Sequence, residues 1–182
     1  MNLPISPFPE LATPRLRLRK LELLDAPFMF RMRSSAEVMK FVPRPLHTTV
    51  EESKVLIELI LANLRDQEGI TWAICLQEES MLIGTIGLWK IDKPNHRAEI
   101  GYMLHSDYWG RGYAAEALEA VEAFGFREMN LHSIEAHLDP HNTASIRVLE
   151  KRGFVKEAHF RENFLYEGQF LDTLVYGKLN PG

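Results

Sequence analysis

Apolar and polar residues alternate from Leu16 to Leu21, the period-two pattern of a half-buried strand. Asp25 then offers a cap for a short helix with Pro27 in its first turn, where a missing N–H costs little. Phe41–Leu46 holds two prolines and reads as a loop. Thr49 followed by Glu52 makes a capping box. Behind it Val55, Leu56, Leu59, Ile60 and Leu64 repeat at helical spacing, which predicts a helix over Val50–Arg65.

Three strand-like runs follow, Thr71–Leu76, Leu82–Trp89 and Ala98–Leu104. The turns between them are too short for crossover helices, so the three should pair antiparallel. From Ala114 the period changes: Ala114, Ala117, Leu118, Val121 and Phe124 share one helical face, which ends near Gly125–Met129. Ser133–Leu138 is a strand, and Asn142 opens a helix that Gly153 closes. Phe154–Phe160 and Leu171–Lys178 form a last hairpin around Tyr166–Gln169. The pattern is that of one α+β domain over residues 1–182, with a mixed sheet of about seven strands.

Composition narrows the function. Hydrophobic residues make up 46% and charged residues 25% of the 182 positions, and the net charge of -4 shows no basic excess of the kind that marks a nucleic-acid binder. Arg15, Arg17, Arg19 and Lys20 alternate with leucines and read as a solvated strand face rather than a binding patch. The single cysteine, Cys75, excludes an internal disulfide and lies in an apolar run as an inert core thiol. Met1–Pro14 is proline-rich and lacks the basic-then-apolar order of a signal peptide, while Val55–Leu64 is too short to span a bilayer. A reducing, cytoplasmic setting with no membrane partner is expected.

The segment Tyr108-Trp109-Gly110-Arg111-Gly112-Tyr113-Ala114 follows a strand and opens a helix. Its glycines let the backbone approach a ligand closely, and a helix N-terminus adds unpaired donors and partial positive charge. That combination suits a phosphate or pyrophosphate, with Arg111 placed to add a charge. No Gly-Lys-Ser/Thr follows, so the loop is not of the Walker type. Gly110, Gly112 and Ala115 match the dinucleotide spacing, and Glu135 lies where that fingerprint wants an acid. The context is wrong, because five residues separate the strand from the first glycine and the preceding strands are antiparallel.

Trp109 to Ala114 resembles the coenzyme A loop of the GNAT superfamily of N-acetyltransferases, with Gly112 and Ala114 in register. Trp109 departs from the family's Gln or Arg, which touches only a side-chain contact. Thr13-Pro14-Arg15-Leu16-Arg17-Leu18-Arg19, Ala98-Glu99-Ile100-Gly101-Tyr102, Asn142-Thr143-Ala144-Ser145 and Arg152-Gly153-Phe154 occur in the order expected of its Rim-type branch, which acetylates ribosomal-protein N-termini. The resemblance implies helices on both faces of the sheet and a splay between the fourth and fifth strands, here Ala98–Leu104 and Ser133–Leu138. Acetyl-CoA, the cosubstrate, would thread its pantetheine arm into that gap. Trp109, Gly110, Arg111, Gly112, Tyr113 and Ala114 would hold the phosphates. Met103 and Leu104 would offer main-chain groups to the arm and thioester, and Asn142 would meet the arm from the other side.

The same resemblance makes Glu99 the base that takes the amine's proton, directly or through a water. Many members place a thiolate-protonating tyrosine where this chain has Leu149, and the Rim-type branch suggests Ser145 instead. A main-chain N–H near Met103 or Leu104, at a strand bulge, would hold the oxyanion. A covalent acyl-enzyme is not expected from a core Cys75. His137 and His141 are four apart but Pro140 denies them a shared helix face, so no metal is expected. The acceptor is a primary amine: a protein N-terminus, or alternatively a polyamine, an aminoglycoside-like drug or an amino acid. A non-catalytic acyl-CoA-binding module is the reading from another class, disfavoured because a binder needs neither Glu99 nor Ser145. A homodimer fits the Rim-type branch.

Overall fold

Two prolines flank the first strand, β1 (Leu11–Ala12), which pairs antiparallel with β2 (Leu16–Lys20). A 3-10 turn leads into α1 (Ala26–Arg33), and a loop then runs to α2 (Val50–Arg65). The meander β3 (Gly69–Leu76), β4 (Leu82–Asp92) and β5 (Arg97–Leu104) follows, then α3 (Tyr113–Arg127), β6 (Ser133–Leu138), α4 (Thr143–Lys151), β7 (Val155–Tyr166) and β8 (Gln169–Leu179). This computed structural model describes residue 4 and residues 6–182, so part of the proline-rich opening segment lies outside it. The eight strands form one sheet in the order β1-β2-β3-β4-β5-β6-β8-β7. Every neighbouring pair is antiparallel except β5 and β6.

Alternation along the central strands feeds two cores. Ala73 and Cys75 face α1 and α2, where they meet Leu21, Met29 and Ile57. Trp72 and Ile74 face the other way, towards Leu118, Val121 and Phe124 of α3. Helices therefore cover both faces, as the α+β resemblance implied. Trp72 is fully buried, packs edge-on to Phe124 with ring centroids 5.3 Å apart, and donates its indole N–H to the Pro9 carbonyl at 2.7 Å. A ring of that size belongs inside only if its polar tip finds an acceptor, and the proline-rich segment supplies one.

The Thr49–Glu52 box caps α2 reciprocally, which is why that helix begins where its pattern predicts. Three expectations need correction. The sheet has an eighth strand, β1, whose two residues carry no periodic signal. β7 runs on past Phe160 to Tyr166, because a bulge between Phe160 and Phe164 interrupts the register rather than ending the strand. Arg19 is not on a solvated face: it is 8% exposed, and its guanidinium grips both oxygens of Asp25 at 2.7 and 2.8 Å. Asp25 accordingly stands at the start of α1 without capping it by side chain, and this ion pair holds the Arg19 guanidinium firmly protonated despite its burial. No helix among the described residues is long and apolar enough to cross a membrane.

Candidate functional site

β5 and β6 run parallel but share only three rungs, Arg97↔Ser133, Ala98↔Ile134 and Glu99↔Glu135. Beyond them β5 stays with β4 to Leu104 and β6 stays with β8 to Leu138, so a gap opens between the strands. Because both strands point the same way, the helices that follow them begin at the wide end of that gap. These are α3, entered through Gly112, and α4, entered through Asn142. Two helix N-termini at the carboxyl ends of parallel strands is the arrangement in which open sheets hold anionic ligands.

The α3 entrance is built for main-chain donation. Gly110 and Gly112 take φ of +72° and +80°, the left-handed region that side chains disfavour. Among the described residues, the six successive N–H groups of Gly110 to Ala115 have no protein acceptor; the first helical bond is Glu116 N–H to Gly112 O. Such a row of unmatched donors fits a phosphate-bearing ligand. Trp109 ties the loop to the strand, its indole N–H donating to the Leu104 carbonyl at 2.9 Å. The Arg111 guanidinium lies 5.8 Å from the Tyr108 ring centre, on an exposed side chain.

The loop also has a support that strand alternation hid. Arg15 donates to the Arg111 carbonyl at 2.9 Å and to a Glu116 carboxylate oxygen at 2.6 Å, and lies over the Tyr113 ring. Thr13 donates to the same carboxylate. Burial alone would raise the Glu116 carboxyl, yet the bonds from Thr13 and Arg15 hold it below the usual carboxylate range.

Along β5 the expected cofactor contacts separate. His105 N–H donates to Ile83 O, so Met103, Gly101 and Glu99 fall on the rungs that bond β4, while Ile100, Tyr102 and Leu104 turn their main-chain groups to the gap. The β4–β5 register is unbroken from Gly84↔Leu104 to Trp89↔Glu99. The bulge expected near Met103 and Leu104 is instead on β4, at Lys90 and Ile91; the gap opens because β6 departs, not because β5 bulges.

Across the gap, the Asn142 side-chain oxygen Oδ1 caps α4 by accepting from Ser145 N–H at 3.2 Å, which leaves the side-chain Nδ2 without a partner among the described residues. The half-buried Ser145 hydroxyl also makes no hydrogen bond to a described residue. The Tyr102 hydroxyl approaches the Ser145 carbonyl at 3.5 Å, so a second hydroxyl reaches this helix turn. Burial pushes that phenol above the usual tyrosine range, and it stays a donor at neutral pH.

Glu99 marks the closed end of the gap. It is buried, and its carboxylate receives Lys90 Nζ at 2.6 Å. Next to it, Glu135 holds Arg97 at 2.6 Å and His137 at 3.2 Å. Glu99, Glu135 and His137 bring ligand atoms within 4.8 Å of one another, a grouping that histidine spacing alone did not reveal. Cys75 is fully buried in the other core, where burial raises its thiol above the ordinary range.

The acetyltransferase (GNAT) domain family matches residues 15–155, more than half of the chain. The chain is a GNAT-family N-acetyltransferase. An uncharacterized N-acetyltransferase p20 of Bacillus licheniformis is similar to it at 36% identity over 169 residues, covering 93% of this chain and 95% of that one. The crystal structure of a GNAT-family acetyltransferase from Bacillus anthracis matches with a TM-score of 0.86 at 30% identity, over 96% of this chain and 100% of that one. The ribosomal-protein-S5-alanine acetyltransferase of Vibrio fischeri matches with a TM-score of 0.83 at 25% identity, over 95% and 97%. A spermidine N-acetyltransferase of Vibrio cholerae, solved with CoA and spermine, has the same fold, with a TM-score of 0.81 at 24% identity over 92% and 97%. Rim-type enzymes are thus among the structural neighbours of this acetyltransferase, and its relatives do not agree on an acceptor. Four residues that bear on its site were not singled out by spacing: Arg15, Glu116, Tyr102 and Lys90. Only Tyr102 had a usable signal, since alternation from Ile100 places it on the α3 and α4 face.

Proposed function

We propose that this acetyltransferase carries acetyl from acetyl-CoA to a primary amine by direct attack in a ternary complex, with a protein N-terminal α-amine as its preferred acceptor. The observation that carries the cofactor half is the row of six unmatched N–H groups opening α3 beside the gap. The bound thioester supplies an electrophilic carbonyl and a thiolate leaving group.

Glu99 takes a proton from the acceptor ammonium, directly or through one water, and frees the lone pair that bonds to the acetyl carbon. An α-amine, with a pKa of about 8, needs less help than a lysine at about 10.4. The N–H of Leu104, aimed at the gap, is the main-chain donor for the oxyanion. As the C–S bond breaks, the Ser145 hydroxyl hydrogen-bonds the departing thiolate, with the Tyr102 phenol beside it. Asn142 holds the α4 entrance and leaves its amide nitrogen for the pantetheine arm.

The preference for an α-amine is supported by charge. Lys90 and Arg97 already balance Glu99 and Glu135, and a polycation gains little at a neutral cluster. Thiol release should be followed with acetyl-CoA and a panel of butylamine, spermidine, an amino acid and a short peptide with a free N-terminus. Peptide-dependent release above that of the other amines is expected. A dominant spermidine response would replace the acceptor assignment, and amine-independent CoA binding without transfer would make the protein a binding module.

A further inference from the structure

Lys90 stands where β4 bulges. Lys90 and Ile91 together oppose the single residue Ala98, between the pairs Trp89↔Glu99 and Asp92↔Arg97, and Lys90 takes a φ of +48°. Bulges re-aim a side chain. This one sends an ammonium group back across the sheet to Glu99 Oε2 at 2.6 Å. The two partners are unequal: the Glu99 side chain is 10% exposed and held in the strand, whereas the Lys90 side chain is 70% exposed on a flexible stem.

We propose that Lys90 occupies the acceptor's seat in the free enzyme, and that the acceptor ammonium binds by displacing it from Glu99. The inference rests on the reading of Glu99 as the base. Lys90 carries the same chemical group as the protonated acceptor, bonded to the same carboxylate that reading assigns to it. Glu99 and Glu135 contribute two negative charges, and Lys90 and Arg97 two positive ones. A third cation arriving at this balanced group is opposed by Lys90 unless Lys90 leaves.

It has somewhere to go. Lys90 also lines an open cavity of about 550 Å³ between the end of α2 and the bulge, whose wall carries two acids, Asp66 and Glu68, against one further cation, Lys93. A four-carbon stem can swing from one carboxylate to others. Lys90 is therefore a positioning residue that sets acceptor affinity, and its loss should improve binding rather than impair it.

The test is a split of KM from kcat, with acetyl-CoA saturating and the best amine of the panel varied. Lys90→Met should lower the acceptor KM by roughly two- to five-fold, the scale of an ion pair with one exposed partner, while kcat holds or rises. Lys90→Arg, which keeps the pair, should return KM towards the wild-type value. A purely structural role would raise KM or depress kcat in Lys90→Met, and either result overturns the inference. The outcomes also separate it from the reading beneath it. If Glu99→Gln leaves turnover unchanged, the base assignment falls and takes this inference with it. If Glu99→Gln is slow but Lys90→Met shows no fall in KM, the displacement alone is wrong.

Discussion

The two ends of the β5–β6 gap are built from opposite materials. At the α3 end the groups on offer are main-chain N–H donors, unmatched and held by glycine geometry. At the Glu99 end they are side-chain charges that are already matched, carboxylates with Lys90 and Arg97 upon them. Main-chain donors suit a ligand part that never varies, such as a pyrophosphate. Matched side-chain charges can be retuned by one substitution, which suits a partner that varies among relatives. On the proposed reading, the fixed end would take the cosubstrate and the retunable end the acceptor, on which the relatives do not agree.

The strongest break should come at the donor end. Gly112→Val forces a β-branched residue into a φ of +80° and brings a side chain against the Arg15 guanidinium, 3.4 Å from the Cβ position. Acetyl-CoA should then no longer raise the melting temperature, although the free protein still folds. A wild-type melting shift in this variant would place the cofactor elsewhere.

Glu99→Gln tests the opposite end. Turnover should fall by about 10²–10⁴-fold, most at low pH where the acceptor amine is protonated, with acetyl-CoA binding intact. A defect that is constant across pH would remove Glu99 from the role of base. Ser145→Ala should cost about 1.5–3 kcal/mol of barrier, or roughly one to two decades in rate. A thioester with a more acidic thiol needs no help in leaving, so wild type and variant should transfer from it equally. If the variant is slow with both thioesters, the hydroxyl serves only the α4 entrance.

A milder change sharpens the contrast within the donor end. Arg15→Met leaves every glycine in place and removes only the support behind the loop. Because Arg15 is half exposed, the loss should be modest, about 1 kcal/mol or roughly five-fold in acetyl-CoA affinity by calorimetry. Unchanged affinity would mean that the glycines and Trp109 set the loop by themselves.

The smallest effect should be one of pH. Burial, and next the charge of Arg33, hold the His47 imidazole below its ordinary value. A histidine with a depressed folded pKa lends stability above its unfolded pKa of about 6.5, and that stability is lost as pH falls through the folded value. Melting temperature should therefore drop slightly below pH 6.5 in wild type, and less so in His47→Gln. Identical acid slopes would assign the loss to other groups.

Much of this molecule was legible in its sequence, and the misses have physical causes. α2 and β6 have the predicted bounds because capping chemistry and one-sided burial act locally. The glycine loop was readable because its shape lives in backbone conformation, which glycines announce. β7 was not, since both of its faces are largely exposed and residues beyond Phe160 have no face to alternate. Arg19 looked like its neighbour Arg17 until the turn that follows brought Asp25 back to it. Lys90 was hidden for a related reason. The predicted alternating run ends at Trp89, and the bulge that carries β4 on to Asp92 leaves no period by which to place Lys90. Arg15 was missed because its partners, Arg111 and Glu116, are far along the chain.

That last separation bears on how the α3 entrance is assembled. The contact between Arg15 and Glu116 closes 101 residues of chain, and the whole β3–β5 meander lies inside that span. On a growing chain Arg15 and β2 emerge long before α3, so the braced loop is a late product of folding rather than a property of the loop peptide. Long-range closures of this kind form slowly and cooperatively. A chain in which β2 has frayed from the sheet keeps its glycines but loses the Arg15 brace behind them, so on the proposed reading acetyl-CoA affinity would report whether β2 is docked.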